Sequence, residues 1–230
     1  GEDVASKLKI LTALSFNFFL NNKDISIEGI HEIDQLDISN ANNLGYKIKL
    51  LGVSEVQNNK VIQRVHPSLV KKNSYIANID GVLNAVIIEG KPAGRTVIQG
   101  AGAGPDATVS ALISDIASIL RGNIKFPFNL PFSKRKKIKF DTIIKKKFSS
   151  YIRLDVLDKN GVLSDITKIM SNNNVSIKRL IQNPLKSKKY SSIVIITHET
   201  NEFFLNNCLK KLFKKKYLIN KPKIIRIEDV

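Results

Sequence analysis

The chain has 230 residues, 43% of them hydrophobic, which is enough to build packed cores and excludes a disordered chain. At about 150 residues per domain, the length suits one large or two modest domains. Net charge is +17, and the single cysteine, Cys208, excludes an intrachain disulfide and a Cys-based zinc site and fits a reducing compartment.

Val4 to Leu20 carries Leu8, Leu11, Leu14 and Phe18 at helical spacing and predicts a helix. Ile25 to Ile30 is a short strand. Ile33 to Leu44 predicts a helix that ends at Gly45, a residue suited to a helix C-cap. Tyr46 to Val53 and Val61 to Val65 are strands, the second stopped by Pro67. Val82 to Glu89 and Thr96 to Gln99 follow as strands, then a turn, Gly100-Ala-Gly-Ala-Gly104, and a helix over Ala107 to Leu120. These elements make an α/β unit with a mixed sheet and helices, assigned to residues 1–125. Residues 126–147 hold Pro127, Pro131 and a lysine-rich stretch, and read as a basic linker.

Residues 148–230 change pattern. Tyr151 to Val156 is a strand, Asp158 to Gly161 a turn, and Val162 to Met170 a helix. Val175 to Ile181 and Ser191 to Thr197 are strands, Glu202 to Phe213 a helix and Ile224 to Ile227 a last strand. The order βαββαβ is the ferredoxin-like split.

The basic excess points to nucleic acid or an anionic membrane only on charge. The arginines are Arg64, Arg95, Arg121, Arg135, Arg153, Arg179 and Arg226, and every other cation is a lysine. Nucleic-acid readers use arginine forks and aromatic stacking, and the lysine runs here hold few aromatics. No apolar run reaches the roughly 18 residues that span a bilayer. His31, His66 and His198 are too far apart for a ligand-spaced pair. The expectation is a cytoplasmic protein with no nucleic-acid, membrane or metal partner. The opening Gly1-Glu2-Asp3 has neither an initiator methionine nor a signal pattern, and reads as the start of a C-terminal piece of a longer protein.

Three constellations carry chemistry. Asp3 and Lys7, four apart on a helix, share one face; they form either a surface ion pair or an acid/base lysine beside a substrate-binding carboxylate. The turn that ends at Gly104 lets backbone approach another surface closely, either for packing or against a cofactor. It lacks the G-x-G-x-x-G spacing of a dinucleotide fingerprint. The turn with Asp158, Asn160, Gly161, Val162 and Leu163 joins a strand to a helix start. It is either an ordinary βα turn or a pocket of N–H groups for an amino-acid carboxylate.

These segments, taken in order, resemble the homoserine dehydrogenase family. Gly1-x-Asp3-x-x-x-Lys7 is similar to the end of the family signature. Ile27-Glu28-Gly29-Ile30, Ala41 to Leu50, Arg64-Val-His66-Pro67, Leu83-Asn84-Ala85-Val86 and Gly100 to Gly104 with Thr108 and Asp115 follow in the family's order. The last 80 residues resemble an ACT domain, through Arg153-x-Asp155-Val-x-Asp158-x-x-Gly161-Val-Leu163, Ser176-Ile177 and Ile181-Gln182.

The resemblance implies hydride transfer between homoserine and aspartate 4-semialdehyde with NADP or NAD, on the route to threonine, isoleucine and methionine. It implies that Lys7 is the catalytic lysine, that Asp3 binds substrate and that Gly104 contacts the cofactor. Asp158, Asn160, Gly161, Val162 and Leu163 would hold a small effector, threonine first, and the enzyme would be a homodimer or homotetramer. The family's nucleotide-binding domain and a substrate-binding glutamate before the signature aspartate have no counterpart here. The chain therefore reads as one wall of an active site, inactive alone. The competing reading is an amino-acid-sensing ACT protein without catalysis.

Overall fold

The computed structural model describes residues 1–17, 25–57, 60–123, 131–135, 139–141, 146–184 and 189–230. Helix α1 (Glu2–Phe16) ends at Asn17, which takes the left-handed conformation and donates its N–H to Ala13 O at 3.0 Å. Phe18 to Leu20, expected to continue it, lie outside the described residues. The buried stripe of α1 is Ala5, Leu8, Thr12 and Ala13, whereas Leu11 and Leu14 are exposed. The reason lies beneath it: a Cβ on Gly52 would stand 3.0 Å from Val4 Cγ1 and 3.5 Å from Leu8 Cδ2, so the helix lies directly on the sheet there.

Strand β1 (Ile25–Ile27) is shorter than expected. Helix α2 (Gln35–Asn43) starts at a capping box in which Asp34 and Asp37 each accept the other's backbone N–H, which satisfies two donors of its first turn. It stops where Gly45 takes φ +86°. Strands β2 (Tyr46–Gln57) and β3 (Lys60–Lys71) pair antiparallel from end to end.

Both strands outrun their expected limits, and Pro67 does not stop β3. Val65 O accepts from Glu28 N and Leu69 O accepts from Glu228 N, so alternate residues 65, 67 and 69 turn their backbone groups away from β2. Pro67 therefore removes no bond to β2. It falls between β1, whose pairing with β3 ends at Val65, and a later strand whose pairing begins at Ser68.

Strands β4 (Leu83–Gly90) and β5 (Gly94–Ala101) form a separate two-stranded ribbon, followed by α3 (Pro105–Leu120). The second half is β7 (Lys147–Leu157), α4 (Val162–Ser171), β8 (Ile177–Pro184), β9 (Tyr190–Thr197), α5 (Glu202–Phe213) and β11 (Lys223–Ile227), as the βαββαβ pattern predicts. Two short strands were not anticipated: β6 (Lys139–Phe140) pairs with β3, and β10 (Thr200–Asn201) with β7.

The two halves share one sheet. β11 lies antiparallel to β7 and parallel to β3, with Arg226 opposite Ser68 and Ile227 opposite Leu69, giving the order β1-β3-β11-β7-β9-β8. On one face α4 and α5 bury Ile152, Leu154, Ile166, Met170, Ile195 and Leu212. On the other, α2 from the first half closes over Tyr151, Val194, Ile196 and Ile225. Each fully buried side chain contributes about 1.5–3 kcal/mol, so the halves are fastened by a core as well as by a ladder. The sheet, rather than the length of the linker, sets their separation.

Candidate functional site

The first turn of α1 rests on β1 and β3. A Cβ on Gly1 would come within 2.9 Å of Ile27 Cγ2, 3.2 Å of Val65 Cγ1 and 3.3 Å of Glu28 O, so the Gly1 backbone lies against two side-chain methyls and one carbonyl and a side chain there would force them to shift. From this helix Lys7 Nζ reaches Asp3 Oδ2 at 2.9 Å, the shared face that the spacing predicts. The side chains are 54% and 78% exposed, so these residues alone do not enclose the pair.

The glycine turn divides its work. A Cβ on Gly102 would fall 2.0 Å from Asn84 Nδ2, and Gly102 N–H donates to Val82 O at 2.8 Å, so Gly102 serves close packing against the strand that carries Asn84. Gly104 has open space around it but takes φ +119° as the N-cap of α3, a conformation that favours glycine. Pro105 lacks an N–H and Asp106 brings negative charge into the first turn, so this helix start does not suit a phosphate. Among the described residues no hydrogen bond or ion pair joins Gly104 to Asp3 or Lys7. Helix α3 buries none of its residues, and Val109, Leu112, Ile113, Ile116, Ile119 and Leu120 line one face of it, 51% to 81% exposed.

In the second half, Gly161 takes φ +85° and opens α4. Asp158 N–H donates to Lys189 O at 2.9 Å, and Val162 N–H is already partnered with Lys159 O at 3.3 Å. Leu163 N–H, in the first turn of α4, has no intrahelical acceptor. Asp158, Asn160 and Gly161 are exposed. A cavity of about 170 Å³ lies elsewhere, between α2 and β8–β9, lined by Asn40, Asn43, Leu44, Ile181, Asn183 and Val194.

Between these sites run two buried charge networks. Arg153 on β7 donates Nε to Asp37 Oδ1 at 2.7 Å, binds Asp155 Oδ2 at 3.2 Å through Nη1, and pairs with Asp34. Tyr151 OH donates to Asp37 Oδ1 at 3.0 Å and accepts from Asn40 Nδ2 at 3.2 Å. In the second network Arg64, 1% exposed, donates Nε to Glu228 Oε1 at 2.9 Å and pairs with Glu55, while His66 Nε2 lies 3.3 Å from the same Glu228 oxygen. Burial alone would raise the Glu228 carboxyl, but the His66 and Arg64 partners outweigh it and hold it below the ordinary carboxylate value.

The homoserine dehydrogenase family model matches residues 1–117, more than half of the chain. The chain belongs to the homoserine dehydrogenase family. An ACT domain model matches residues 150–212. A homoserine dehydrogenase of Helicobacter pylori is 36% identical over 229 residues, covering 100% of this chain and 54% of its own length. One from Neisseria gonorrhoeae is also 36% identical, covering 91% and 49%. The crystal structure of a homoserine dehydrogenase from Thiobacillus denitrificans superposes with a TM-score of 0.87 at 33% identity, covering 100% of this chain and 53% of that one. The chain thus spans about half the length of the homoserine dehydrogenases it matches. No helix among the described residues is long and apolar enough to cross a membrane.

Sequence reasoning named Glu28, Arg64 and His66 only as parts of motifs, Arg226 only among the arginines and Glu202 only as the start of a helix, and did not single out Asp37 or Glu228. The two carboxylate partners of Arg226 lie 24 and 198 residues away, and no local pattern marks such pairs. The one available sign was that Arg153, Arg64 and Arg226 stand within runs that otherwise read as buried strand.

Proposed function

We propose that this chain is the substrate and regulatory part of an NAD(P)-dependent homoserine dehydrogenase, interconverting L-homoserine and L-aspartate 4-semialdehyde in the biosynthesis of threonine, isoleucine and methionine. The observation that carries the reading is the Asp3–Lys7 pair, standing at the family-signature positions on a helix wedged onto the sheet at Gly1. Lys7 Nζ gives a proton to the aldehyde oxygen in reduction and takes the hydroxyl proton in the reverse direction. Asp3 holds the substrate ammonium and orients Lys7.

NAD(P)H, when bound, supplies the hydride. The residues present fit one edge of it: Gly104 offers bare backbone to the ring, and the phosphates belong to a nucleotide-binding part outside this chain. The exposure of Asp3 and Lys7 agrees with an active site whose second wall comes from that part. Two units, residues 1–125 and 148–230 joined by 126–147, make up the chain; the second binds a small amino acid, threonine first. The working enzyme is a cytoplasmic homodimer or homotetramer.

The test is spectrophotometric. A full-length enzyme carrying this chain should reduce NADP or NAD when homoserine is added, and the 230-residue chain alone should not. A full-length protein with no homoserine-dependent reduction would remove the assignment.

A further inference from the structure

Arg226 lies on β11, opposite Ser68 of β3 and Ser150 of β7, and is largely buried. Its guanidinium is shared between two carboxylates from opposite halves of the chain. Nη1 donates to Glu28 Oε2 at 2.8 Å, and Nε donates to Glu202 Oε1. The Phe148 ring, 5.8 Å from centroid to guanidinium carbon, covers it.

Glu202 is the first residue of α5 and is buried. Glu28 directly follows β1, and its N–H donates to Val65 O at 2.7 Å. Its carbonyl oxygen belongs to the surface on which Gly1 rests, 3.3 Å from the position of a Cβ there. Gly1 O in turn accepts the Ala5 N–H at 2.9 Å, closing the first turn of α1. The chain of contacts therefore runs from α5 through Arg226 and Glu28 to the helix that carries Asp3 and Lys7.

We infer that Arg226 is a positioning residue for the Asp3–Lys7 pair, holding the segment beneath the first turn of α1 in register with the second half. The inference rests on the reading of Asp3 and Lys7 given above. The planar fork of arginine suits the task, since it aims two N–H bonds in fixed directions at two carboxylates, which an ammonium does not. Misplacing a reacting group by about 1 Å costs as much as 10²-fold in rate, so a brace remote from the reacting atoms has a kinetic signature.

Two measurements test it. The first is hydrogen exchange on the 230-residue chain, with Arg226→Met beside Arg153→Met, an arginine of the same sheet that does not touch Glu28. Arg226→Met should lower protection about tenfold at Glu28 and along α1 and leave β9 and α4 within about twofold, while Arg153→Met should not single out those amides. Unchanged protection, or an equal fall throughout the chain, would overturn the inference. Should Arg226→Met fail to fold, Glu28→Ala keeps the Arg226–Glu202 pair, removes only the arm toward α1 and should give the same local loss. The second measurement is kinetic, in the full-length enzyme. Arg226→Met should lower kcat/KM for homoserine about tenfold with the KM for NAD(P) within about twofold, since only the substrate helix is displaced. Equal loss of both, or loss of neither, would return Arg226 to a purely structural role. If the wild-type enzyme leaves homoserine unoxidised, the functional reading falls, and the exchange result still decides whether Arg226 holds α1.

Discussion

Arg153 on β7 donates to Asp37 on α2 at 2.7 Å, across 116 residues of sequence. Asp37 is fully buried and also closes the capping box of α2, so one carboxylate caps the start of a helix of the first half and anchors a strand of the second. Burial alone would weaken the Arg153 charge, but Asp37, Asp155 and Asp34 outweigh it and raise its pKa above the ordinary value. Removing the arginine leaves Asp37 buried without a cation. Arg153→Ala should destabilise the chain by about 3–5 kcal/mol, the usual cost of breaking a buried pair from one side. Urea unfolding gives the number, and a loss below about 1 kcal/mol would mean that water reaches the pair.

The shared sheet carries a second expectation. Because β11 pairs with β3 and α2 covers Tyr151 and Ile196, the halves should unfold together. Calorimetry should show one transition with matching calorimetric and van't Hoff enthalpies. Two separated peaks would show that the ladder between β3 and β11 contributes little.

Much of this fold was legible in the sequence, because its elements obey local rules. The βαββαβ order of residues 148–230 followed from apolar periodicity and turn residues, and Glu202–Phe213 matched its helix at both ends. What escaped was set by neighbours distant in sequence. Pro67 reads as a strand end, yet it sits within β3 because the side it cannot serve falls between two other strands. Leu11 and Leu14 have helical spacing, but α1 turns Ala5 and Leu8 to the sheet because Gly52 admits close approach. The Asp3–Lys7 contact was readable from its i,i+4 spacing. The parallel pairing of β11 with β3, which makes one body of two family-model matches, has no signature in composition or periodicity.

Glu228 gives a pH prediction. Its carboxyl is held below the ordinary 4.5 by His66 and Arg64 against the opposing effect of burial. Between the folded and unfolded pKa values the unfolded chain binds more protons, so stability falls as pH falls. The contribution is complete above about pH 4.5 and is lost as the pH drops through the depressed folded value. Asp34, held down by its Asp37 N–H bond and by Arg153 against the opposing effect of burial, acts in the same direction from its ordinary 3.8. Thermal scans from pH 7 to pH 3 should show a decline in Tm below about pH 4.5 that is shallower in Glu228→Gln. Parallel curves for the two proteins would refute this linkage.

For catalysis, Lys7→Ala in the full-length enzyme should lower kcat by a factor on the order of 10² to 10⁴, the range for a lost acid/base group. Asp3→Asn should act chiefly on the KM for homoserine, since it removes the charge proposed to meet the substrate ammonium. Lys7→Ala protein should keep the Tm of the wild type within a few degrees, because an exposed i,i+4 pair contributes only a few tenths of a kcal/mol. A kcat loss below about threefold would make Lys7 a surface residue.

The last prediction concerns the turn at Gly161. Gly161 takes a positive φ at the start of α4, and the first-turn Leu163 N–H, without an intrahelical acceptor, is the donor proposed for an effector carboxylate, with the exposed Asp158 and Asn160 beside it for an ammonium or hydroxyl. Because the face of β7 that carries Tyr151 leans on α2, residues 148–230 taken alone would bare an apolar surface, and the whole chain is the proper sample. Threonine titrated into it should release or absorb heat with one site per chain. Gly161→Asp should abolish that heat, through a strained backbone and a negative charge set against the ligand's carboxylate. Tm should then separate loss of binding from loss of fold: wild type should gain Tm in millimolar threonine, and the variant should not. In the full-length enzyme the same ligand changes turnover only if two states differ in affinity for it, typically by 1–3 kcal/mol of coupling, or about 5- to 150-fold. The route for that coupling is short, since α4 and α5 pack on the sheet whose β11 holds Arg226. Binding heat that survives Gly161→Asp would move the effector to another site, and no heat in the wild type would leave this half a structural extension of the sheet.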